Sequence, residues 1–502
     1  MKRNFYILSA LFLTLGVSAQ SVTPNDGLRY NEQDLNGTAR FNAMGGAFGA
    51  VGGDFSAIGI NPAGAAIFKY NTANITLKYD NNSNKSTFEG TQDKQKNNSF
   101  TLNQGGVVFV FDNPEKKLNK YVLSVNYNTK KNFDNNLYFR TPNGQQSIDS
   151  YFLDYANGTN GLGTFPIEGN DAYFEDLNFV DQQAWLGYNS YILDYDQNSN
   201  TYFTNVPTTG VLNQSKAVET RGYNSKVEFN FAGSVQDRLF FGVNLNAHFV
   251  DFTKTTVIRE SNDGMYDEGT TITDIAFNNQ QYTFGNGFSL NLGAIYKVNN
   301  ALRLGLAYES PTWYKLTDQL QQSIYTNRVE AENPNTTLYK STNPGVVMEF
   351  DRYKLRTPAN YTASVAGIIS NQWLISGDVS VKDYSKTEFT SQGYDNMNSF
   401  YTENLKSALD VRVGTEYVIK NVALRAGYRF AESPYKNKDL VLTGDTSSYN
   451  AGIGFHFGDS QLDLAYSFTD RNFNEELISN SSYGSKIKNA NNAVSLTYTV
   501  NF

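Results

Sequence analysis

The chain has 502 residues, 40% of them hydrophobic, a formal net charge of −8 and no cysteine. The missing cysteine excludes a disulfide framework and an acylated lipoprotein cysteine, and the acidic balance without a basic stripe gives no reason to expect a nucleic-acid partner. Beyond the first twenty residues, no apolar run approaches the roughly 18 residues of a transmembrane helix. Aromatic residues nevertheless reach 14%. This is typical of transmembrane barrels, whose strands carry aromatic side chains at both lipid interfaces.

Residues 1–19 have the pattern of a secretory signal peptide. Lys2 and Arg3 precede an apolar run over residues 5–17, and small residues at 17–19 form a cleavage site. The run is too short for a transmembrane anchor and has no stop-transfer flank. We therefore expect export and a mature chain that starts at Gln20.

The mature chain opens on a segment, residues 20–70, that is rich in small residues. Large apolar residues, among them Phe41, Met44, Phe48 and Phe55, are interleaved with its glycines. Glycine weakens helices and strands, yet the apolar residues require burial. A compact hatch, or plug, inside a wide barrel satisfies both conditions, because about fourteen strands leave a lumen that side chains alone cannot fill.

Period-two alternation marks fourteen candidate strands in residues 71–502. They lie near residues 71–80, 99–112, 119–130, 218–234, 237–253, 281–298, 301–310, 357–370, 372–386, 405–419, 421–431, 447–458, 460–472 and 491–502. Short and long connections alternate strictly between them, and the largest is the loop 131–217. This is the arrangement of periplasmic turns and extracellular loops in an outer-membrane barrel. The sequence therefore predicts an all-β fold, a transmembrane antiparallel β-barrel of about fourteen strands, with an N-terminal hatch in its lumen.

The alternation also assigns the two faces of each strand. In residues 239–249 the apolar set from Leu239 to Phe249 opposes Asn244, Asn246 and His248. The apolar set has to face lipid, because a Lys or Arg at mid-bilayer costs roughly 2–4 kcal/mol. The same reasoning predicts eight charged residues in the lumen, paired with each other or with the hatch: Arg303, Glu309, Asp378, Arg412, Glu416, Arg425, Arg429 and Asp463.

The last ten residues, AVSLTYTVNF, alternate without interruption and end at Phe502. Such a segment predicts the strand that closes the barrel. A C-terminal aromatic residue on this strand resembles the signal that the barrel-assembly machinery reads. That machinery and outer-membrane lipid are therefore expected partners.

No catalytic or cofactor site is indicated. His248 and His456 fall on inward faces at unrelated positions, whereas a metal or haem site needs further ligands. There is no cysteine nucleophile, no Gly-rich phosphate loop after a strand and no acid–base pair of suitable spacing. We expect no enzyme, no metal and no cofactor.

Several motifs resemble the FadL-type (OmpP1/FadL/TodX) outer-membrane transport family. In the hatch they are Met44-Gly45-Gly46-Ala47-Phe48, Ser56-Ala57 and Asn61-Pro62-Ala63-Gly64. In the barrel, residues 302–311 resemble the family's strand that ends in Tyr-x-Ser-Pro, and residues 357–359 with 373–378 resemble its next hairpin. The resemblance covers most of the mature chain in order and is weakest in the long loops.

The resemblance implies an outer-membrane channel of a Gram-negative bacterium for passive uptake of hydrophobic compounds such as long-chain fatty acids. It also implies a hatch that blocks the pore, an apolar lumen pocket, and a kinked strand that opens laterally so that the compound leaves into the membrane. Asn61, Pro62 and Ala63 match the hatch element whose movement would gate the pore. From their chemistry alone, we expect Phe41, Met44, Phe48 and Phe55 close to the apolar pocket.

A second hypothesis is a FadL-like barrel that does not transport and serves as a subunit or shuttle of an outer-membrane secretion or assembly complex. The aromatic residues of loop 131–217 could form an outer substrate groove or dock a surface lipoprotein or another barrel. An aromatic cluster around a closed pocket behind the hatch would favour transport. A polar lumen with apolar loop tips would favour the complex subunit, and a general porin fits least because the hatch would obstruct it.

Overall fold

The computed structural model describes residues 24–113, 116–158, 173–370, 372–437, 443–478 and 483–502. The predicted signal peptide, residues 1–19, lies outside these ranges. The helices are α1 Pro24–Arg29, α2 Ala39–Ala43, α3 Phe55–Ile60, α4 Asp149–Ala156, α5 Phe179–Asn189 and α6 Asp395–Asn404, with 3₁₀ turns at Pro62–Ile67, Phe174–Asp176 and Tyr384–Lys386. Within the described residues, no helix is long and apolar enough to cross a membrane.

The remaining regular structure is β-sheet. The strands are β1 Thr72–Phe88, β2 Thr91–Asp112, β3 Leu118–Asn132, β4 Asn135–Thr141, β5 Leu193–Asp196, β6 Thr201–Thr204, β7 Leu212–Val235, β8 Leu239–Asn262, β9 Thr270–Lys297, β10 Leu302–Glu309, β11 Trp313–Glu330, β12 Thr337–Thr342, β13 Met348–Glu349, β14 Tyr353–Arg356, β15 Asn360–Ile369, β16 Trp373–Asp383, β17 Glu388–Phe389, β18 Ser407–Ile419, β19 Val422–Ala431, β20 Thr446–Phe457, β21 Ser460–Glu476 and β22 Gly484–Asn501. Neighbouring wall strands pair antiparallel, and β1 pairs with both β2 and β22. The wall is thus a closed barrel of fourteen strand positions, and the predicted fold class and strand count are confirmed.

Two of the fourteen wall positions are interrupted at prolines. β10 and β11 both pair with β9 and are separated by residues 310–312, which include Pro311. The neighbouring β15 and β14 are separated by residues 357–359, which include Pro358. Proline cannot donate a ladder hydrogen bond, so each strand bends there. The prediction of one long loop over 311–356 was wrong, because β11 continues the wall.

Several strands are much longer than the 9–11 residues that cross a bilayer. β8 has 24 residues and β9 has 28. The predicted loops 81–98 and 254–280 are therefore largely strands that rise above the membrane on the long-loop side, which is extracellular. By contrast, β15, β16, β18, β19 and β20 are short, so that the extracellular wall is tall on one side of the barrel only.

The described parts of the large loop 131–217, residues 131–158 and 173–217, fold into a compact cap instead of a loose surface loop. It contains β4, α4, α5 and the β5–β6 hairpin, and α4 packs on α5. Its apolar side chains share one core with the tall strands, where Phe152 lies against Phe277 with ring centroids 5.2 Å apart. The cap therefore covers the lumen from the extracellular side.

The faces of the strands follow the predicted pattern at membrane level and partly reverse above it. On β8 the outward Leu245 and Phe249 are 50% and 45% exposed, whereas the inward Asn246 and His248 are buried. Beyond Phe249 the reversal is partial: inward Val250, Phe252 and Ile258 are apolar, whereas Thr256 and Glu260 on the same face are polar, and most outward side chains are polar. Outward aromatic residues mark the two membrane surfaces. The upper row includes Tyr79, Phe100, Trp313, Tyr361 and Tyr449, and the lower row includes Phe111, Tyr121, Tyr296, Tyr417 and Phe502.

The N-terminal segment from α2 through the 3₁₀ turn at residues 62–67 lies inside the membrane-level barrel. Glycines of the wall let its backbone approach the strands directly. A Cβ at Gly427 would lie 2.2 Å from the Met44 carbonyl carbon, and one at Gly242 would lie 2.4 Å from the carbonyl carbon of Pro62. Only glycine fits at such contacts, so the hatch is fitted tightly to the wall.

Candidate functional site

The Asn61-Pro62-Ala63 element lies where the hatch meets the wall. The Asn61 side chain is buried and donates to the carbonyl of Gly49 at 2.7 Å and to that of Ala294, on β9, at 3.1 Å. Its Oδ1 accepts from the Ala63 amide at 3.2 Å and caps the 3₁₀ turn. This one side chain therefore joins two parts of the hatch to the barrel.

The four apolar hatch residues lie in two separate cores. Phe41, Met44 and Phe48 pack together with Ala366 and Leu374 of the wall, and the rings of Phe41 and Phe48 have centroids 5.5 Å apart. Phe55 lies in another core, 5.2 Å from the ring of Phe68. None of the four is among the residues that line the large lumen cavity described below.

Charged residues of the wall hold the hatch from several sides. Arg425 contacts Glu416 and Asp463, each at 2.6 Å, and Glu416 also receives Arg40 of the hatch at 2.7 Å. The Asp378 carboxylate accepts from the amides of Phe48 and Gly49, each at 3.0 Å. Arg303 donates to the carbonyl of Val51 at 2.8 Å. The predicted pairing of lumen charges with each other and with the hatch is confirmed for these residues.

A cavity of about 360 Å³ lies above the hatch and below the cap. One side is apolar, where Leu28, Phe133 and Phe252 belong to a buried cluster rich in aromatic residues. This aromatic cluster also contains Tyr30, Tyr314, Tyr353, Phe389, Tyr401 and Tyr435. Burial raises the pKa of the Tyr30 hydroxyl to about 12, so it stays neutral at physiological pH.

The rest of the lining is largely ionic, and some of its charges lie beside the aromatic residues, as Lys254 does beside Phe252 on β8. Three of its carboxylates each contact two cations. Glu32 contacts Lys131 and Arg471, Asp410 contacts Arg412 and Arg429, and Glu475 contacts Lys216 and Lys254. The charges that line the cavity nearly balance, with eight Lys and Arg against seven Asp and Glu side chains. The cavity therefore joins an aromatic surface to a dense network of ion pairs.

The cavity extends to a seam in the barrel wall between β2 and β3. The β2–β3 ladder ends at the pair Gln104 and Asn128. Above this pair, β2 remains bonded only to β1, and β3, with β4 beyond it, only to β7. Side chains bridge the seam along its height. Thr129 Oγ1 donates to the Leu102 carbonyl at 3.1 Å, and Asn132 Nδ2 donates to Ser99 Oγ at 2.9 Å. Higher up, Asn84 Nδ2 and Ser86 Oγ of β1 donate to carbonyls of β4, each at 2.7 Å, and Asp93 pairs with Arg140 at 3.6 Å.

Residues 30–37 of the N-terminal segment run along the inside of this seam, and we refer to them as the inner strap. On the β3 side, the amide of Asp34 donates to the carbonyl of Lys130 at 3.1 Å, and Lys130 Nζ donates to the Tyr30 carbonyl at 3.3 Å. On the β2 side, Asn103 Nδ2 donates to the carbonyl of Gly37 at 2.6 Å. Burial raises the pKa of the Asp34 carboxyl, against the opposing pull of Lys78.

The sequence analysis identified the hatch motif but not the residues that line the cavity. The inner strap carries no recognisable motif, and Lys131, Asp410 and the neighbours Arg471 and Glu475 come from three distant parts of the chain. The only signal in the sequence was the presence of charged residues on inward strand faces, and that pattern does not indicate which of them contact one another. His248 is buried and bonds to Ser289 at 2.9 Å, and the described ranges contain no His, Cys, Asp or Glu cluster that could hold a metal.

Comparisons with known proteins agree with this architecture. The chain matches the family model for outer membrane protein transport proteins (OMPP1/FadL/TodX) over residues 196–502. Its fold is similar to that of a Pseudomonas aeruginosa FadL homologue, with a TM-score of 0.52, 13% identity and coverage of 94% of this chain and 99% of that one.

It is also similar to the Pseudomonas putida toluene transporter TodX, with a TM-score of 0.50, 13% identity and coverage of 93% and 99%. A deletion mutant of the TodX monoaromatic hydrocarbon channel gives a TM-score of 0.52 at 14% identity and covers 93% and 100%. The comparison with curated proteins found no match. Because the family model spans more than half of the chain, this protein belongs to the OMPP1/FadL/TodX family of outer-membrane transport proteins.

Proposed function

We propose that the protein is a passive, non-enzymatic channel for amphiphilic hydrophobic compounds, which bind in the lumen cavity and leave laterally through the β2–β3 seam. The observation that carries the proposal is the seam itself, a stretch of wall without a backbone ladder that opens onto the cavity. Side-chain bonds and the inner strap close it, and these can separate without breaking a backbone ladder. Downward exit is less favourable, because the hatch backbone packs directly on wall glycines.

The two walls of the cavity suggest the class of compound. An aromatic wall binds a hydrocarbon chain by burying apolar area, at about 25 cal/mol per Å². A wall in which Glu32, Asp410 and Glu475 each contact two cations suits an anionic head group. A long-chain fatty acid combines both parts, whereas a neutral hydrocarbon such as toluene would make no contact of its own with the cations.

We propose that gating couples the hatch to the strap. Asn61, Pro62 and Ala63 fix the hatch to β8 and β9, and residues 30–37 lead directly into the first helix of the hatch, α2. A shift of the hatch would pull the strap from Lys130 and Asn103 and expose the seam. Phe41, Met44, Phe48 and Phe55 would act from inside the hatch cores, by setting how far the hatch moves, and not by contact with the compound in the cavity.

The seam can be tested with engineered disulfides, because the chain has no cysteine of its own. Ser99→Cys with Asn132→Cys places two thiols across the seam, where the native side chains are 2.9 Å apart. Val108→Cys with Ser124→Cys joins the same two strands inside the intact ladder and is the matched control. We expect oxidation to abolish fatty-acid uptake by cells carrying the seam pair and a reductant to restore it, with the control pair unaffected.

Equal uptake with the seam pair oxidised and reduced would contradict lateral exit at this position. The head group can be tested separately by native mass spectrometry of the purified barrel with a fatty acid and the fatty alcohol of equal length. Tighter retention of the acid, weakened by Arg471→Gln, would support the ionic wall as the head-group site. Equal retention of acid and alcohol would contradict it.

A second function, as a subunit of an outer-membrane complex, is favoured by exposed apolar side chains at the extracellular tips. Tyr173 is 71% exposed, Phe203 46%, Val211 47% and Met265 43%. Such residues in a water-facing region are typical of protein contacts. Native mass spectrometry after gentle extraction from the membrane distinguishes the two functions, because a stoichiometric protein partner supports the complex and a monomer with a bound amphiphile supports the channel.

A further inference from the structure

Five lysines form a patch on the outward face of β1, β2 and β22, above the membrane. The strand registers place Lys94, Lys85 and Lys488 directly beside one another in a single row across the three strands. Lys96 lies one row below and Lys486 one row above, and all five side chains are exposed. We refer to these residues as the lysine patch.

The lysine patch lacks compensating charge. Among the residues that the structure describes, no carboxylate lies within ion-pair distance of any of the five ammonium groups. Asp470, an exposed acid in the row of Lys96, is separated from it by Ser83 and Ala490. Like charges directly opposite each other destabilise a sheet. Three adjacent lysines, with Asp470 as a diagonal neighbour of Lys488 beyond ion-pair distance, thus form a positive patch on a chain of net charge −8, and an external anion would reduce their repulsion.

Protection of a free sheet edge explains only part of the patch. The upper half of β2 has no partner beyond β1, and lysine at such an edge prevents strand addition. This accounts for Lys94 and Lys96. It does not account for Lys85 and Lys488, because β1 and β22 are paired on both sides at these positions.

The height of the patch indicates what it meets. Tyr79 and Phe100 belong to the upper aromatic row, at the outer membrane surface. Asn81, Asn98 and Asn492 form the next row, and Lys85 lies six residues beyond Tyr79 along β1, which is about 20 Å of strand. That distance passes the acyl chains and reaches the layer of charged sugars that covers the outer leaflet.

We propose that the lysine patch binds the phosphate- and carboxylate-bearing oligosaccharide of lipopolysaccharide in the outer leaflet. The patch lies on the same β1–β2 hairpin that forms one side of the seam. A bound glycan therefore orders the sugar layer directly over the lateral opening and ties the free half of β2 to the membrane surface. This inference depends on the outer-membrane location and is independent of the proposed transport.

The test measures binding of a soluble probe, deacylated lipopolysaccharide that keeps its phosphates and carboxylates, to the full-length protein in detergent. Lys85→Gln, Lys94→Gln and Lys488→Gln are combined in one variant. The charge-matched control combines Lys116→Gln, Lys117→Gln and Lys297→Gln, which lie at the periplasmic turns. A lysine close to an anionic surface changes affinity by about fivefold, so we expect the patch variant to bind roughly 100-fold more weakly.

The control variant should bind within about twofold of the unchanged protein, and added salt should weaken binding less in the patch variant. Folding of both variants is checked by the heat-dependent mobility shift of intact barrels. Equal binding by the patch variant would overturn the proposal. So would equal binding of a probe that lacks both its phosphates and its carboxylates, or equal binding of an unrelated acidic protein. Full competition by inorganic phosphate at the same total charge would also overturn it, because the site would then bind any anion.

Discussion

The membrane-level half and the extracellular half of the tall strands share a period of two, with its sign partly reversed in the extracellular half. At membrane level, apolar side chains point outward to lipid and polar ones inward, as Leu245 and Asn246 do on β8. Above Phe249 the inward side chain of Phe252 belongs to the aromatic cluster, and most outward positions are polar. The strand itself continues without interruption, so the difference between the faces follows from what surrounds the strand, which is lipid in one half and water and the cap in the other.

The reversal also changes what holds each half together. Around the hatch, buried charges and amides make pairwise contacts, such as Arg425 with Glu416 at 2.6 Å. Under the cap, apolar burial dominates, as in the contact of Phe152 with Phe277. Loss of one partner leaves a buried charge unpaired in the lower half, but only a cavity in the upper half. The lower half is thus the more sensitive to a single polar deletion.

The largest expected effect is the removal of a buried cation at membrane level. Arg425 is 1% exposed and contacts both Glu416 and Asp463, so Arg425→Met leaves Asp463 without its arginine partner. We expect a loss of about 3–5 kcal/mol in the free energy of unfolding. Denaturant titration of the barrel in lipid vesicles measures it.

The control for this change is Arg221→Met in the upper half, where the side chain is 74% exposed and its contact with Glu219 faces water. Exposed ion pairs contribute little, about 0–1 kcal/mol. An equal loss in the free energy of unfolding in the two variants would show that water solvates the lumen charges as fully as it solvates surface charges. The proposed difference between the two halves would then be wrong.

A smaller effect is expected from placing a lysine on the outward face. Leu245→Lys puts a charge against lipid between the two aromatic rows and should cost roughly 2–4 kcal/mol. Thr255→Lys makes the same addition on the same strand and face, ten residues higher, and should change stability by less than about 0.5 kcal/mol. Both are measured by denaturant titration in vesicles. If Thr255→Lys were as costly as Leu245→Lys, the membrane boundary at Phe249 would be misplaced.

A change of similar or smaller size is expected where the hatch touches the wall. The new Cβ of Gly427→Ala would lie 2.2 Å from the backbone of Met44, whereas in Gly377→Ala the nearest atom, the Arg412 carbonyl oxygen, is 3.8 Å away. We expect a loss of about 1–3 kcal/mol for Gly427→Ala and almost none for Gly377→Ala. Single-channel conductance in planar bilayers should rise only for Gly427→Ala, because the hatch shifts. If Gly427→Ala changed neither stability nor conductance, the hatch would be loosely fitted to the wall.

The sequence alone predicted the lower half well. Fourteen alternating segments, eight inward charges and the C-terminal strand ending at Phe502 all follow from the requirement that lipid-facing positions be apolar. The upper half was mostly missed. Residues 91–98, TQDKQKNN, are strand without any apolar face, because β2 has water on its outer side there. A strand whose apolar face is reversed or absent cannot be distinguished from a loop by its hydrophobic periodicity.

The candidate site was predicted only in outline. The hatch motif is local, so Asn61-Pro62-Ala63 could be recognised from adjacent residues. The cavity was not, because Glu32 meets Lys131 and Arg471 across most of the chain length, and such pairs depend on barrel closure. Pro311 and Pro358 were visible as strand breakers, but a bend in a continuing wall and the end of a strand give the same signal.

The smallest expected effect concerns the inner strap, at the boundary between the two halves. Burial raises the pKa of Asp34, so the folded protein holds this proton more tightly than the unfolded chain. The stabilisation that this bound proton contributes is therefore complete below the pKa of the carboxyl in the unfolded chain, about 4, and it decreases as the pH rises. Asp34→Asn keeps the shape without the charge. At pH 7 we expect it to be more stable than the unchanged protein by less than about 1 kcal/mol, with the difference vanishing below pH 4. Unfolding midpoints across this pH range measure the difference. A variant that is less stable at pH 7 would show that the carboxylate is held charged by Lys78 and Arg471, and that the strap is fixed by ion pairs like the lower half of the barrel.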